Sequence, residues 1–431
     1  MKDILLEKVF EAERWEAAIN KGFFKGIDKG ELRQLCGPET RVRLAMAILE
    51  DNYEIAPPHQ ALIPKDNGEF RTVYVNENID RIFLSIVNDL LFELCPGMIH
   101  QSCKSYQKGI GCGKVVQEIS HKLKPNPYQN PNGILGFKAD LSKYFDSVPI
   151  EFIDDAFDQV ERKIGKSKVI TVLRKYYHTD LCFDPDGNLI EHYQSLKQGC
   201  AVASFLADVM LFHIDFELYK YSFMNMASMY TRYSDDILYI GSGYEKAMGF
   251  LEKELQKMSM KLNPKKVEYL TGDKWFKFLG FMIKGSQITL SPNRVKQFQK
   301  EIGKRSIGNL NYHIGGKIAL KSINRYLYKG DGTYSWATQV LPIINVEKDI
   351  DTLNEFVMDC IRACQTGKRN IGGLGTVTNR KNCTILRGTG KNVSANRKNT
   401  EKEIEGYYSI RCMQKALNIC RPVYDTIVRE M

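Results

Sequence analysis

The sequence has no apolar run long enough to cross a membrane. It also lacks a complete zinc motif, because Cys360 and Cys364 lie one helical turn apart but no second cysteine or histidine pair follows at zinc-finger distance. No stretch approaches about 18 uninterrupted apolar residues, and the opening segment, MKDILLEKVFEAERW, is charged. We therefore expect neither a membrane span nor a signal peptide. The eleven cysteines are scattered from Cys36 to Cys420. We interpret them as free thiols in a reducing compartment and expect a cytoplasmic protein.

Acidic residues are missing from one long segment. Between Ile361 and Thr400 there is no Asp or Glu, whereas lysine, arginine, glycine and asparagine are frequent. One interpretation is a solvated basic loop. We favour contact with nucleic-acid phosphates, because the segment is long and its charges have a single sign. The basic residues expected at that contact are Lys368, Arg369, Arg380, Lys381, Arg387, Lys391, Arg397 and Lys398.

The chain has 431 residues, of which 43% are hydrophobic, so it is long enough for two or three domains with real cores. Its net charge of +10 fits a polyanionic partner without requiring one. The pattern is helical over residues 1–54, mixed between Ile134 and Phe281, and mainly helical after Ser291. Strands around an acidic turn, with helices beside them, predict an α+β fold.

Individual segments carry clearer signals. PKDNGEF lies between two extended runs and predicts a hairpin. We expect a strand at ILGFKADL, two strands at MYTRYSDDILYIG and a hairpin at KFLGFMIKGSQITL. Helices are predicted at Ile79–Cys95, Ser204–Tyr219 and Lys246–Met260.

Two acidic elements are candidates for metal-dependent chemistry. The tetrapeptide from Tyr233 to Asp236 places Asp235 and Asp236 at a turn between apolar, β-prone runs. Asp140 ends the hydrophobic strand ILGFKAD. Exposure of the first turn and helix capping by Asp140 are simpler interpretations. If the two strands are neighbours, however, Asp140 and Asp235 can share two metal ions, an arrangement suited to in-line phosphoryl transfer.

A family resemblance joins these elements. From about Leu62 to Phe281 the chain resembles reverse transcriptases, in particular the bacterial group related to group II intron and retron enzymes. Seven motifs in this order and spacing make a chance match improbable. They are LIPKDNGEFRTVYVNENIDRI, SYQKGIG, FKADLSKYFDSV, QGCAVASFLAD, YSDD, KLNPKKVEYL and KFLGFMI. One departure is that Ser204 is followed by Phe205, where family members usually have proline.

The resemblance implies a right-hand polymerase with fingers, palm and a mainly helical thumb. We expect an N-terminal helical segment over 1–55, fingers over 56–136 and a palm over 137–285 with a helical insertion around 150–195. The thumb would cover 286–360, followed by a basic loop and C-terminal helical extension over 361–431.

The resemblance also implies roles for single residues. Asp140, Asp235, Asp236 and the carbonyl of Leu141 would hold two Mg²⁺ ions, with Mn²⁺ as an alternative, and Lys266 would protonate pyrophosphate. Lys65 and Arg71 would bind the incoming triphosphate, and Gln198 and Gly199 would line the nucleotide pocket. Lys108 belongs to a fingers motif that contacts nucleic acid. The primer grip would be formed by Phe278, Leu279 and Gly280.

Phe145 is the expected discriminator between sugars. The resemblance places it against the nucleotide sugar, where an apolar ring would leave a 2′-hydroxyl crowded and without a hydrogen-bond partner. The alternative is that Phe145 only packs in the core. We favour the steric role, and with it deoxynucleotides as substrates.

The resemblance implies RNA-directed DNA synthesis, with an RNA template, dNTPs and a DNA product. Defence-associated bacterial enzymes are the most similar group, which would make a structured non-coding RNA the template and antiphage defence the role. A retron enzyme is the close alternative, although the Val-Thr-Gly tripeptide typical of retrons is missing. A polymerase-fold RNA-binding module without synthesis is a third reading. A homo-oligomer, the mode of priming, and templated, reiterative or template-free synthesis stay open.

Overall fold

The structure is a computed structural model, and it describes residues 2–21, 24, 27–65, 68–123, 134–223, 228–308, 322–323, 325–329 and 336–366. The chain divides into two compact units. Unit 1 contains residues 1–110 and 133–271, and unit 2 contains residues 111–132 and 272–431. The predicted division into fingers, palm and thumb stays a prediction.

Helices dominate both ends of the described chain. Two five-residue π-helical turns are present, Lys304–Gly308 and Arg325–Lys329. The α-helices are α1 (Ile4–Val9), α2 (Ala12–Lys21), α3 (Lys29–Leu35), α4 (Pro38–Leu49), α5 (Asn78–Leu94), α6 (Cys112–Lys122), α7 (Tyr144–Ser147), α8 (Ile150–Ile164), α9 (Lys168–His178), α10 (Ala203–Val209), α11 (Phe212–Phe223), α12 (Tyr244–Lys257), α13 (Pro292–Gly303), α14 (Trp336–Gln339) and α15 (Glu347–Thr366).

Eleven strands form three sheets within the described residues. They are β1 (His59–Pro64), β2 (Phe70–Val75), β3 (Ile134–Asp140), β4 (Leu181–Phe183), β5 (Leu189–Glu191), β6 (Met229–Tyr233), β7 (Asp236–Ile240), β8 (Glu268–Thr271), β9 (Phe276–Phe278), β10 (Phe281–Lys284) and β11 (Gln287–Leu290). The sheet orders are β2-β1-β4-β5 and β6-β7-β3-β8 in unit 1, and β11-β10-β9 in unit 2.

The β6-β7-β3-β8 sheet is antiparallel and carries the acidic residues. Strand β7 is almost entirely apolar, and the four residues from Ile237 to Ile240 are buried. Strand β3 lies between β7 and β8, with Phe137 buried and stacked on Tyr239 of β7. Phe137 and Ala139 are buried, whereas Lys138 between them pairs with Glu268. These unlike faces fix the register of β3, because a one-residue slip would exchange them.

Helices pack around this sheet to form the core of unit 1. The apolar face of α5 includes Phe83, Val87 and Leu90, which are fully buried. Helices α10 and α11 contribute Phe205 and Leu218 to the same core. Among the described residues, no helix is both long and apolar enough to cross a bilayer.

Most predicted elements of unit 1 are confirmed. The hairpin around PKDNGEF is β1 paired with β2, and Ile79–Cys95 corresponds to α5. The strand at ILGFKAD, the paired strands around the acidic turn and the helix near Lys246–Met260 are also present. In unit 2, the segment KFLGFMIKGSQITL forms the β9-β10-β11 sheet.

The predicted continuous helix from Ser204 to Tyr219 is wrong in one respect. The structure has two helices, α10 and α11, interrupted at Met210 and Leu211. The backbone carbonyl of Asp208, near the end of α10, accepts a hydrogen bond from the Arg232 side chain at 3.0 Å. A side chain from β6 thus binds a carbonyl group at the point where the helix is interrupted.

Unit 2 has a separate core. Phe298 and Ile302 on α13 are buried, and Phe298 packs against Trp336 of α14 with ring centroids 4.6 Å apart. Strand β11 is joined to the residues before α15, because the Asn345 amide nitrogen donates to the carbonyl of Ile288 at 2.9 Å. The Gln117 side chain of α6 donates to the carbonyl of Pro342 at 2.9 Å.

Gly136 marks the closest approach of β3 to β7, and it has a φ of +156°. A Cβ atom at this position would lie 1.9 Å from the carbonyl oxygen of Tyr239. We predict that Gly136→Ala lowers the free energy of unfolding by about 2 to 4 kcal/mol, since the strands would have to separate. Chemical denaturation measures this change.

Gly249→Ala is the matched control. Gly249 lies within α12, and a Cβ atom there would meet no heavy atom within 4 Å. Alanine should raise stability at this position by up to about 1 kcal/mol, because it favours helix more than glycine does. Equal stability of wild type and Gly136→Ala would contradict the close contact.

Candidate active site

The ends of β3 and β7 bring three carboxylates to one edge of the sheet. In the antiparallel register Asp140 faces Asp236 directly. The Leu141 amide donates to the carbonyl of Asp235 at 3.2 Å, so the chain after β3 remains beside the acidic turn. The structure therefore places Asp140, Leu141, Asp235 and Asp236 at the same edge of the sheet.

The acidic turn is a two-residue hairpin loop. Tyr233 pairs with Asp236, which leaves Ser234 and Asp235 as the loop. Ser234 has a φ of +57°, in the left-handed region that residues other than glycine rarely adopt. Such a residue persists only where its surroundings hold it in place. This conformation places two consecutive carboxylates at the end of a buried hairpin.

Burial and mutual repulsion disturb the ionisation of these acids. Burial, followed by the charges of Asp235 and Asp140, raises the pKa of Asp236 to about 7. Burial and Asp140 also raise the pKa of Asp235. Carboxylates with raised pKa values at one site are typical of a place that a cation neutralises during function.

Lys266 supplies one cation within the structure itself. Its Nζ atom donates to Oδ2 of Asp140 at 2.6 Å, although 57% of the Lys266 side chain is exposed. Burial tends to lower the pKa of Lys266, but the hydrogen bond and charge of Asp140 outweigh burial and raise it. Lys266 is therefore held as an ammonium group beside the acids.

The donor set fits a hard divalent cation. Carboxylate oxygens and the Leu141 carbonyl are the ligand types that Mg²⁺ prefers, usually with substrate phosphates completing its coordination. The three carboxylates are not gathered as a ready-made ligand set among the described residues, and Asp140 is bound to Lys266. Metal binding at this edge therefore stays a prediction.

The predicted triphosphate residues lie on the β1-β2 hairpin. Lys65 follows β1, and its amide donates to the carbonyl of Glu69 at 2.7 Å. Arg71 is an exposed residue of β2 paired with Ile63. Its positive charge lowers the pKa of Asp235 against the larger effect of burial, which places Arg71 within electrostatic reach of the acidic turn.

The loop before α10 brings Gln198 and Gly199 against β2. The Tyr74 amide donates to the carbonyl of Gln198 at 2.7 Å. Gly199 has a φ of +112°, and a Cβ atom there would lie 2.8 Å from the carbonyl of Tyr74. Glycine is thus required for this close approach. The pocket role of Gln198 and Gly199 stays a prediction.

Lys197, which directly precedes Gln198 and Gly199, is a buried residue that the sequence did not indicate. The Lys197 ammonium donates to the carbonyl of Thr179 at 2.8 Å and to Oε1 of Gln194 at 3.0 Å. It also lies 4.9 Å from the centre of the Tyr176 ring. Burial lowers the pKa of Lys197 to about 8. This lysine anchors the backbone that presents Gln198.

Phe145 lies on the short helix α7, immediately after the acidic strand end. Its ring is half-buried and makes an edge contact with Tyr144, with centroids 5.6 Å apart. Its carbonyl accepts from the Leu196 amide at 3.2 Å, which connects α7 to the loop that carries Gln198. The partly exposed ring is compatible with a steric role, which stays a prediction.

The remaining predicted residues fall in different parts of the chain. Lys108 is exposed in the loop before α6, in unit 1. Phe278, Leu279 and Gly280 form the end of β9 and the turn to β10 in unit 2, with Leu279 and Gly280 both at positive φ. The eight basic residues Lys368, Arg369, Arg380, Lys381, Arg387, Lys391, Arg397 and Lys398 lie outside the described residues.

The sequence analysis also missed a buried ionic network behind the acidic turn. Arg232, Asp208 and Asp215 have fully buried side chains and are joined by hydrogen bonds. Their signal in the sequence is a charged residue inside an otherwise apolar strand or helix. Asp208 ends one of the family motifs and Arg232 directly precedes another, but nothing local indicates that they meet.

Comparison with protein families identifies the domain. The family model described as reverse transcriptase (RNA-dependent DNA polymerase) matches residues 63–283, just over half of the chain. The chain belongs to the reverse transcriptase family. The matched range includes the acidic residues, the end of β1 with the turn and β2, and the Gln198 loop. Comparison with curated proteins gives no match.

Similar solved structures include telomerases from two Candida species. Telomerase from Candida albicans, solved with a fragment of telomeric RNA, has a TM-score of 0.50 at 11% identity and covers 91% of this chain. Apo telomerase from Candida tropicalis, truncated from its C-terminal domain, has a TM-score of 0.43 at 16% identity and covers 58% of this chain. The Candida tropicalis complex with telomeric RNA has a TM-score of 0.45, 15% identity and 78% coverage.

This chain spans 65% of the Candida albicans telomerase chain, and 59% and 64% of the truncated and the RNA-bound Candida tropicalis chains. At these identities the likeness concerns the fold alone. It agrees with the predicted α+β fold of the polymerase type, with helices and antiparallel sheets in one chain.

The raised pKa of Asp236 predicts a pH-dependent instability without metal. Above pH 7 the ionised carboxylate destabilises the folded state, and this penalty disappears towards pH 4, where the unfolded chain also becomes protonated. Asp236→Asn should therefore raise the free energy of unfolding at pH 8 by about 1 to 4 kcal/mol. The gain should be smaller at pH 5. Denaturant titration in the presence of a chelator measures both values.

Asp186→Asn serves as the control, because Asp186 is exposed in the β4-β5 turn. It should change stability little at either pH. The electrostatic account fails if Asp236→Asn gives the same stability change at pH 5 and pH 8.

Proposed function

We propose that this protein is an RNA-directed DNA polymerase that adds deoxynucleotides to a primer end. The observation that carries the proposal is the pairing of Asp140 with Asp236 at adjacent strand ends, beside Asp235, within a reverse transcriptase domain. Three carboxylates at one edge are electrostatically unfavourable without cations, and phosphoryl transfer by metal ions uses such an arrangement.

Two Mg²⁺ ions are the proposed cofactors. Asp140, Asp235, Asp236 and the carbonyl of Leu141 would hold them, with Mn²⁺ as an alternative ion. When bound, such a pair supplies charge stabilisation for the attacking and leaving oxygens of an in-line displacement.

Lys266 has two partners in this proposal. Before substrate binds, its ammonium group is bound to Asp140 and reduces the repulsion among the acids. During the reaction Lys266 would exchange that contact for the leaving pyrophosphate and donate a proton to it. Because 57% of the Lys266 side chain is exposed, the ammonium group can leave Asp140 at little desolvation cost to itself, and the proposed metal ions would then balance the buried Asp140 carboxylate.

The nucleotide would lie between the β1-β2 hairpin and the loop before α10. Lys65 and Arg71 would bind its phosphates, as exposed basic residues on one hairpin. Gln198 and Gly199 would lie over the base and sugar, and Phe145 would exclude a 2′-hydroxyl. The hydrogen bond between Tyr74 and Gln198 couples the two walls of this pocket.

We further propose a bacterial, cytoplasmic setting with a structured non-coding RNA as template and antiphage defence as the role. This part depends on the motif resemblance alone. Lys108 and the basic residues between Lys368 and Lys398 would contact nucleic acid, and Phe278 to Gly280 would hold the primer. A retron-type enzyme is the alternative role for the same chemistry.

The double variant Asp235→Ala with Asp236→Ala tests the proposed activity. Purified wild type should extend a DNA primer on an RNA template with dNTPs and Mg²⁺, measured on denaturing gels. The double variant should lose at least about 1,000-fold in rate, because charge stabilisation is usually the largest catalytic contribution.

The adjacent pair Asp154 and Asp155 on α8 offers a control. Replacing both with alanine removes the same charge from the same unit. That variant should retain extension within about threefold once its folded fraction is taken into account, because neither residue lies in any of the seven family motifs. Equal extension by wild type and the Asp235/Asp236 variant would instead favour an RNA-binding module without synthesis.

Phe145→Ala tests the choice of sugar. Removing the ring should raise the ratio of ribonucleotide to deoxynucleotide incorporation by roughly tenfold or more, because hydrophobic contacts of this size discriminate by about 10- to 200-fold. Steady-state kcat/KM values for matched dNTP and rNTP pairs give the ratio.

Phe152→Ala on α8 controls for the loss of a packed ring, since Phe152 also lies against the core of unit 1. It should lower stability without changing the ratio. An unchanged ratio in Phe145→Ala would leave this residue with a packing role only.

A further inference from the structure

Arg232 lies on β6, two residues before Ser234, and its side chain is fully buried. All of its N–H donors have acceptors. Nε and Nη2 donate to the two carboxylate oxygens of Asp215 at 2.8 and 2.6 Å, and Nη2 also donates to the backbone carbonyl of Asp208 at 3.0 Å. Nη1 donates to the carbonyl of Ser234 at 3.0 Å and approaches Oδ1 of Asp208 at 3.5 Å.

The partners of Arg232 are themselves fixed. Asp215 on α11 also accepts from the hydroxyl of Tyr230 at 2.7 Å. Asp208 on α10 accepts from the hydroxyl of Ser105 at 2.6 Å. A planar guanidinium with five occupied donors has a single orientation, because any rotation would break several charge-assisted bonds at once.

The contact with Ser234 connects this buried network to the acidic loop. The Ser234 carbonyl belongs to the two-residue acidic loop, and Ser234 is the loop residue with positive φ. Asp235 follows it immediately, and Asp236 begins β7. The guanidinium therefore fixes the peptide group that directly precedes Asp235 and Asp236.

The backbone of Arg232 also joins this loop to the residues just before the predicted fingers motif. Its amide donates to the carbonyl of Ser102 at 2.9 Å, and its carbonyl accepts from the Lys104 amide at 2.8 Å. Together with the bond between Ser105 and Asp208, these contacts attach residues 102–105 to the outer edge of β6.

A buried ion network of this kind contributes little net stability, because desolvation of the charges offsets their attraction. What such a network supplies is a defined geometry. We propose that Arg232 is a positioning residue for catalysis: held by Asp215, its guanidinium fixes the Ser234 carbonyl and so keeps Asp235 and Asp236 facing Asp140. This inference rests on the proposed polymerase function and extends it to a residue behind the site.

Arg232→Lys is the first test. Lysine keeps the positive charge but cannot bind Asp215 with two parallel bonds while also reaching the Ser234 carbonyl. We expect kcat for primer extension to fall roughly 10- to 100-fold, as small misplacements of reacting groups do. The KM for dNTP should stay within about twofold, because the nucleotide-binding residues are untouched. All rates are measured at a temperature where circular dichroism shows the variant to be folded.

Hydrogen exchange supplies a readout that does not depend on activity. The peptide spanning residues 233–237 should exchange faster in Arg232→Lys than in wild type, while peptides from α8 and α9 stay unchanged. A variant that merely lowered global stability would accelerate exchange in all of these peptides together.

Arg174→Lys is the matched control. Arg174 also joins several acids through one guanidinium, with Asp154 Oδ1 at 3.0 Å and Glu161 Oε2 at 3.3 Å, and it also donates to the backbone carbonyl of Asp154. It lies on α9 in the same unit. The same chemical change there should leave kcat within about twofold and the exchange of 233–237 unchanged.

Asp215→Asn is the second variant, used if Arg232→Lys does not fold. It keeps one acceptor for Arg232 and leaves the Asp208 carboxylate to balance the arginine charge, so the buried guanidinium still has an anionic partner. A fall in kcat with faster exchange of 233–237 supports the proposal. Normal kcat in a folded Arg232→Lys or Asp215→Asn variant overturns it.

Failure of the two proposals can be told apart. If wild type extends no primer under any condition, the proposed function is wrong, and the exchange measurement still decides whether Arg232 holds the acidic loop. If wild type extends primers and both Arg232→Lys and Arg174→Lys behave alike in rate and exchange, the positioning role is wrong while the polymerase function stands.

Discussion

Repulsion among three carboxylates is the constraint on which the site depends. Asp140 and Asp236 face each other across two strands, and Asp235 adjoins them in a two-residue loop. Burial and this proximity raise the pKa values of Asp235 and Asp236. A protein gains nothing in stability from such a cluster, and active sites commonly carry this kind of local cost. The surrounding structure has to hold the acids together against their own charges.

Three kinds of contact oppose this repulsion. Cross-strand pairing fixes the position of Asp140, because buried side chains such as Phe137 prevent β3 from slipping. Lys266 provides a counter-charge from the solvent side. Arg232 holds the loop backbone from the core side. Lys266 and Arg232 therefore hold the acidic residues from two sides, and of these two cations Lys266 is the exposed one, which can exchange its partner at the lower cost.

Local patterns predicted much of this arrangement. The hairpin at PKDNGEF, the strand ILGFKAD and the strands around the acidic turn follow from alternation and turn residues, and the structure confirms them. The interruption between α10 and α11 was not predictable in this way. It coincides with a hydrogen bond from Arg232 to the Asp208 carbonyl, between residues 24 positions apart in the chain. The bond between Lys266 and Asp140, 126 positions apart, was hidden for the same reason.

The acidic residues are thus held by different kinds of contact on their solvent side and on their core side. On the solvent side, charges are exchangeable, because water can replace a lost partner of Lys266 at little cost. On the core side, Arg232 cannot exchange its partners, since each lost acceptor would leave a buried donor unsatisfied. A site that must accept and release charged substrates in every cycle needs both kinds of contact. In the proposed function, the buried network would keep the geometry constant, and the exposed Lys266 ammonium group would exchange partners as charged substrate enters and leaves.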